Sequence, residues 1–211
     1  MLAAGGIRTD VTVESRVAEF VTEAAARLAA GPEAQLPEIQ AWRRAFIRMG
    51  LKPTSYRCAS EALLRRFRRE GALPRIHPLI DLCNAVSMAF AVPVAVFDVA
   101  KIAGYVEVRY ADGSELYEAF SGAQEHPEPH EVIFADGAGR AHARRWTNRQ
   151  SGYSAVRADT TDVLIVAEGL HASARDDIPR LVATLAEELE RAWSARARTA
   201  VLTGSAPRFD F

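Results

Sequence analysis

The densest chemistry in this sequence lies in HARRWTNRQSGYS, residues 142 to 154. Guanidinium forks such as those of Arg144, Arg145 and Arg149 pair with anionic oxygens, two bonds at a time. The side chains of Asn148, Gln150 and Ser151 both donate and accept hydrogen bonds. Trp146 sits among them, although a surface loop has no need of a tryptophan and a core strand has none for so many polar groups. The stretch fits no helical or alternating period well. It therefore reads as a segment built to hold something.

A second polar set is spaced for one helix face. His77, Asp81 and Asn84 stand at i, i+4 and i+7 in a segment that otherwise carries Leu79, Ile80, Cys83, Val86 and Phe90. Polar groups on an apolar helix cost about 1–3 kcal/mol each unless hydrogen-bonded. They either fix packing through bonds to backbone or line the floor of a cavity. Convergence of both sets on one pocket is the economical arrangement, because each set alone needs its own partners.

Other chemistries find little support. There is no G-x-S-x-G, and Gly137-Ala138-Gly139 lacks the third glycine of a dinucleotide fingerprint and falls in a hairpin. His126 and His130 have the spacing of a helical metal pair, but Pro127 and Pro129 forbid the helix. That segment reads as a solvated acidic loop, and no metal or cofactor is expected. Cys58 and Cys83 read as buried thiols rather than a disulfide framework.

The elements that must position these residues follow from periodicity and punctuation. Val13, Val17, Phe20, Ala24 and Leu28 predict a helix over 11–29, stopped at Gly31-Pro32. Pro37 opens a second, ending at Gly50. Ser60 is the expected cap of a third, SEALLRRFRREG, closed by Gly71, and Pro78 starts a fourth that runs to about Phe90. Past Pro93 the runs VAVFD, GYVEVRY and ELYEAF are short and alternating, with Asp112-Gly113 read as the turn of a hairpin between the latter two. EVIFAD and AHARRW flank a second hairpin signal, DGAG. DVLIVAE reads as a buried strand, residues 175–197 as a last helix, and the tail after Thr199 as loose. Helices first, strands in the middle and one closing helix make an α+β fold.

At 211 residues the chain suits one domain with a full core. No apolar run reaches the roughly 20 residues of a membrane span, and the first residues lack the pattern of a signal peptide. A cytoplasmic protein is the expectation. A net charge of −1 conceals strong local bias. Residues 41–75 hold ten basic side chains (Arg43, Arg44, Arg48, Lys52, Arg57, Arg65, Arg66, Arg68, Arg69, Arg75) against Glu61 and Glu70. Residues 107–136 carry eight carboxylates against Arg109. A basic face opposite an acidic one is the expected outcome.

Four stretches in order carry a family resemblance: His77-Pro-Leu-Ile-Asp-Leu-Cys-Asn84, Val92-Pro-Val-Ala-Val-Phe-Asp98, Gly104-Tyr-Val-Glu-Val-Arg109 and Thr161-Asp-Val-Leu-Ile-Val-Ala-Glu168. Together they resemble the B3/B4 domain of the phenylalanyl-tRNA synthetase β subunit. The span from about Trp42 to Glu168 is more similar still to freestanding B3/B4 proteins. Those share Tyr56-Arg57-Cys-Ala-Ser60-Glu61-Ala-Leu-Leu-Arg65-Arg66 and the Arg144–Ser151 stretch. The resemblance implies a single domain over 1–211 with its core at about 42–168, the helices of 11–29 and 175–197 lying on it. It implies a three-layer fold with an unusual β-sandwich core, and an editing site where a wrongly attached amino acid is hydrolysed from tRNA.

On that footing aminoacyl-tRNA is the expected partner, and a trans-acting deacylase the expected activity. A non-catalytic module binding tRNA or an amino-acid-like ligand in the same pocket is the alternative. Asp81, Asn148, Gln150 and Ser151 are the candidate catalytic residues, Asp81 holding the α-ammonium and the others facing the oxyanion. His77, Asn84, Arg145, Trp146 and Arg149 are the candidate substrate contacts, and Arg57, Arg65, Arg66 and Arg144 the candidate RNA contacts. The positions matching the synthetase's site histidine and glutamate are Ala95 and Arg149, so neither of those roles carries over.

Overall fold

The computed structural model describes residues Met1–Phe211. Its elements are β1 (Leu2–Ala4), α1 (Glu14–Ala29), α2 (Pro37–Arg48), α3 (Ala59–Glu70), α4 (Pro78–Phe90), β2 (Val94–Asp98), β3 (Val106–Tyr110), β4 (Tyr117–Glu118), β5 (Gln124–Glu125), β6 (Val132–Asp136), β7 (Ala141–Arg144), β8 (Arg149–Gln150), β9 (Val163–Ala167), α5 (Ala174–Trp193) and β10 (Arg198–Thr199). Two four-stranded antiparallel sheets form, ordered β10-β1-β9-β2 and β3-β6-β7-β8, beside a small β4-β5 ribbon.

Strand alternation builds the layers. In the first sheet Phe97 pairs with Leu164 and Ala95 with Val166. These residues face the second sheet, where Phe97, Leu164 and Val166 meet Phe134 and Ala143 in a small sandwich core. The intervening residues Val96, Val163 and Ile165 point the other way and join the largest core, with Leu82 and Val86 of α4 and Leu181, Leu185 and Leu189 of α5. The far face of the second sheet is covered by Tyr117, Ala111 and Ala119 packed on Ile133 and Ala135. A fourth cluster joins α1, α2 and α3 to the end of α4 around Trp42, Phe46 and Leu64. Helices, sheet and sheet give three layers, an α+β arrangement.

Several local expectations change. Asp112-Gly113 does not join two paired strands: β3 pairs with β6, and β4 with β5. The turn signal was real, since Glu115 accepts the N–H groups of Asp112 and Gly113, but it closes a loop. Ser60 does not cap α3. Cys58 holds the N-cap position, while the buried Ser60 hydroxyl donates to the Ala91 carbonyl, 3.0 Å away. Residues 2–4 form a strand inside the first sheet, a run too short to show periodicity. The tail after Thr199 is not wholly loose, because Phe209 and Phe211 pack against the sandwich core.

Candidate functional site

The segment 144–151 turns tightly between β7 and β8. Arg145 and Trp146 occupy left-handed backbone, at φ 48° and 59°. Two adjacent non-glycine residues there cost about 1–2 kcal/mol each. The surroundings hold them in place. The Trp146 N–H donates to the Val132 carbonyl at 2.7 Å, and the Arg145 N–H to Glu131 at 3.0 Å. The Trp146 ring meets Trp42 edge-on, centroids 5.0 Å apart.

This turn aims Trp146 at the mouth of the sandwich. A cavity of about 60 Å³ lies there, lined by Ala95, Trp146, Asn148, Arg149, Gln150 and Glu168 among others. It adjoins an open groove of about 1000 Å³, which shares Phe134, Val166 and Glu168 with it and is bordered by Tyr105, Val108 and the tail from Val201. Ala95 and Arg149, the two positions where the resemblance broke, thus share one cavity.

Glu168 is the group that reading the sequence as a strand missed. The Trp146 indole N–H donates to its carboxylate at 2.9 Å. Burial pushes its carboxyl up to about 7, with the indole hydrogen bond and the nearby Met1 amine pulling the other way. A carboxyl poised near neutrality at the junction of a cavity and a groove is equipped for proton transfer. The only trace in the sequence is that the apolar run 163–167 ends on a glutamate.

The amides complete the lining. Gln150 Nε2 donates to the Val96 carbonyl at 2.6 Å, and Asn148 Nδ2 to the Arg57 carbonyl at 2.8 Å. Each amide nitrogen retains a second N–H. Arg149 pairs with Glu125 at 3.0 Å, which raises its basicity. Arg145 does not line the cavity; its guanidinium lies over the Tyr56 ring, 5.0 Å from the centroid.

Ser151 and Arg144 do not face it either. The Ser151 hydroxyl is buried, donates to the Glu118 carbonyl at 2.8 Å and accepts the Tyr153 N–H at 3.1 Å. Arg144, expected on RNA, is 3% exposed. It bonds Glu131 through Nε and Nη2, both at 2.9 Å, and Glu125 through Nη1 at 2.6 Å. Burial works against the Glu131 carboxylate, yet the Arg144 fork holds it below its ordinary value. Acidic block and arginine segment therefore neutralise one another in part, instead of forming two opposed faces.

The α4 stripe does not converge with this site. His77 is the N-cap of α4, and its Nδ1 accepts the Leu79 N–H at 3.1 Å. Burial lowers its pKa, against the pull of Asp81. Asp81 accepts the Ile76 N–H at 2.9 Å. Asp81 and Asn84 line a different groove of about 280 Å³, between α1, α4 and the 71–75 loop. The single-pocket expectation fails because His77 and Asp81 are used locally to start the helix.

Asp136, His142 and Ser154 mimic a hydrolytic triad. His142 Nδ1 is 2.8 Å from Ser154 Oγ and its Nε2 is 3.2 Å, off-line, from Asp136. All three are buried and line neither the cavity nor the two grooves, so they act as a polar tie between strands. Of the expected RNA contacts, Arg65 and Arg66 are exposed on α3, Arg66 beside Glu70 at 2.7 Å. Arg57 is half-buried and bonded to the Thr54 carbonyl. Arg44 and Arg48 are exposed on α2.

Comparison with known proteins gives the geometry a family. The B3/4 domain model matches residues 41–182. A phenylalanine–tRNA ligase beta subunit from Legionella pneumophila (strain Paris) is 32% identical over 68 residues, 32% of this chain and 9% of that one. Its counterpart from Shewanella oneidensis is 26% identical over 88 residues, 42% of this chain and 11% of that one. The chain thus spans about a tenth of the length of these curated relatives. Among solved structures, an N-terminal fragment of the Pyrococcus horikoshii phenylalanyl-tRNA synthetase beta subunit aligns at TM-score 0.47 and 14% identity, over 57% of this chain and 41% of that one.

Proposed function

The chain belongs to the B3/4 domain family, and from that premise we propose that it is a trans-acting hydrolase that deacylates mischarged aminoacyl-tRNA at the mouth of the sandwich. The observation that carries the reading is Glu168, held by Trp146 where cavity and groove meet, its carboxyl near neutrality. A space of about 60 Å³ is far below the 300–1,000 Å³ of ordinary ligand sites. It takes the reacting end of an aminoacyl ester, while the terminal adenosine lies in the adjoining groove.

In this mechanism the Glu168 carboxylate accepts a proton from a water attacking the ester carbonyl. The second N–H groups of Asn148 and Gln150 face the oxyanion that develops. The proton then passes to the leaving ribose oxygen, which restores Glu168 for the next turnover. Positioning of ester and water supplies the rest of the acceleration. Exposed Arg44, Arg48, Arg65 and Arg66 meet the tRNA phosphates.

A second reading, a non-catalytic module that binds tRNA or an amino-acid-like ligand in the same cavity, is favoured by one observation: Ala95 and Arg149 stand where the synthetase site has a histidine and a glutamate. A panel of mischarged tRNAs separates the two. Release of amino acid by wild-type protein, lost in Glu168→Gln, supports the hydrolase. Binding without release supports the module.

A further inference from the structure

Away from the sandwich mouth, Glu38 meets two potential ligand residues from the far end of the chain, His171 and Asp177. One oxygen of Glu38, one of Asp177 and one ring nitrogen of His171 all lie within 4.8 Å of one another. Glu38 sits in the first turn of α2, His171 in the loop after β9, and Asp177 in the first turn of α5. None of the three lines the cavity or its groove.

Two atoms of this cluster are buried without any partner, Glu38 Oε2 and His171 Nδ1. The His171 side chain is only 2% exposed. The remaining atoms are engaged. Arg27 Nη2 bonds Glu38 Oε1 at 2.7 Å. Asp177 Oδ2 accepts from Ser173 at 2.6 Å and faces His171 Nε2 at 3.0 Å, and Arg180 donates to Oδ1 at 3.2 Å. Buried polar atoms are ordinarily hydrogen-bonded, and a cation would give these two a partner.

We propose that Glu38, His171 and Asp177 form a binding site for a divalent cation of nitrogen and oxygen preference, zinc foremost, that ties α2 to the head of α5. An imidazole and two carboxylates suit zinc, with water in the fourth position. Ligand atoms around tetrahedral bonds of about 2.0–2.1 Å stand roughly 3.3 Å apart. Separations within 4.8 Å therefore leave at most about 1.5 Å to close. Arg27 and Arg180 oppose the cation by charge, but Arg180 is 70% exposed and screened.

The test uses the full chain stripped with chelator and titrated with zinc chloride. Calorimetry should show one equivalent bound, and imidazole nitrogen resonances of the wild-type protein should move at His171. Glu38→Gln, His171→Ala and Asp177→Asn should each weaken binding at least tenfold, while a His126→Ala/His130→Ala double variant binds as wild type. Resonances of His171 unmoved by zinc, or full affinity retained in all three variants, overturn the proposal. The resonance measurement needs no variant, so a variant that fails to fold leaves the test standing.

Discussion

The indole N–H of Trp146 reaches the carboxylate of Glu168 across 2.9 Å, joining the strained turn after β7 to the end of β9. Left-handed backbone at Trp146 is what aims the ring there, so the strain and the acidic group belong to one device. Trp146→Phe keeps the ring and removes the donor. Its Glu168 carboxyl should rise still further in pKa, because the hydrogen bond that lowers it is gone. Denaturant unfolding at pH 8 should show a loss of about 1–3 kcal/mol, the cost of a buried group left without its partner.

Glu168 also fixes a pH dependence of stability. Its folded pKa, about 7, lies above the ordinary 4.5, so between these values the folded state holds more protons than the unfolded one. Stability from this group is fully present below about pH 4.5 and is lost as pH rises through about 7. The span corresponds to about 2–3 kcal/mol, using roughly 1.4 kcal/mol per unit and discounting for partial exposure. Glu168→Gln should flatten that slope and be more stable than wild type above pH 7, as read by unfolding curves across pH.

Arg144 and Arg66 should behave as opposites. Arg144→Ala leaves Glu131 in a buried site without its fork, and should cost about 3–5 kcal/mol in denaturant unfolding. Arg66→Ala removes an exposed pair and should change stability by less than about 1 kcal/mol. In tRNA binding the order reverses: loss of Arg66 should reduce the salt slope by about 0.7–0.9 if it meets a phosphate. An unchanged slope for Arg66→Ala, Arg65→Ala and Arg48→Ala together counts against an RNA surface on α2 and α3.

The polar residues of 148–151 should divide in the same manner. Gln150→Ala should lower deacylation about ten- to a thousandfold, since it removes a cavity donor, and cost about 1 kcal/mol of stability through its lost bond to the Val96 carbonyl. Ser151→Ala should cost about 1–2 kcal/mol of stability, through its two backbone bonds, and leave the rate near wild type. Asp81→Ala, which touches the other groove, should leave deacylation unchanged.

Much of the architecture was legible from local signals. Pro78 and Gly71 bound their helices where the sequence places them, and the continuous apolar run of 163–167 forms the buried strand β9. Pairing was less legible. The Asp112-Gly113 signal specifies a turn but not which strands it joins, and β3 finds β6 across the intervening residues 111–131. The segment 144–151 was recognisable by composition, and the structure places Trp146, Asn148, Arg149 and Gln150 on one cavity. Spacing could not tell that Arg144 and Ser151 turn inward, because their partners Glu131 and Glu118 come from other segments. Of the two roles open to His77 and Asp81, backbone bonding and cavity lining, spacing alone could not choose, and their polarity serves to begin α4. Glu168 was invisible for the converse reason: its importance comes from Trp146, twenty-two positions away.

In the proposed reaction Glu168 is the base of an ester hydrolysis. The direct measurement is single-turnover release of amino acid from a panel of mischarged tRNAs, by wild type and by Glu168→Gln, across pH 5.5 to 8.5. Wild type should release amino acid from at least one member at a rate rising through about pH 7, and Glu168→Gln should be slower by about a hundredfold or more with no such rise. Every tRNA left intact by wild type, or equal rates and pH profiles for the two proteins, would contradict it.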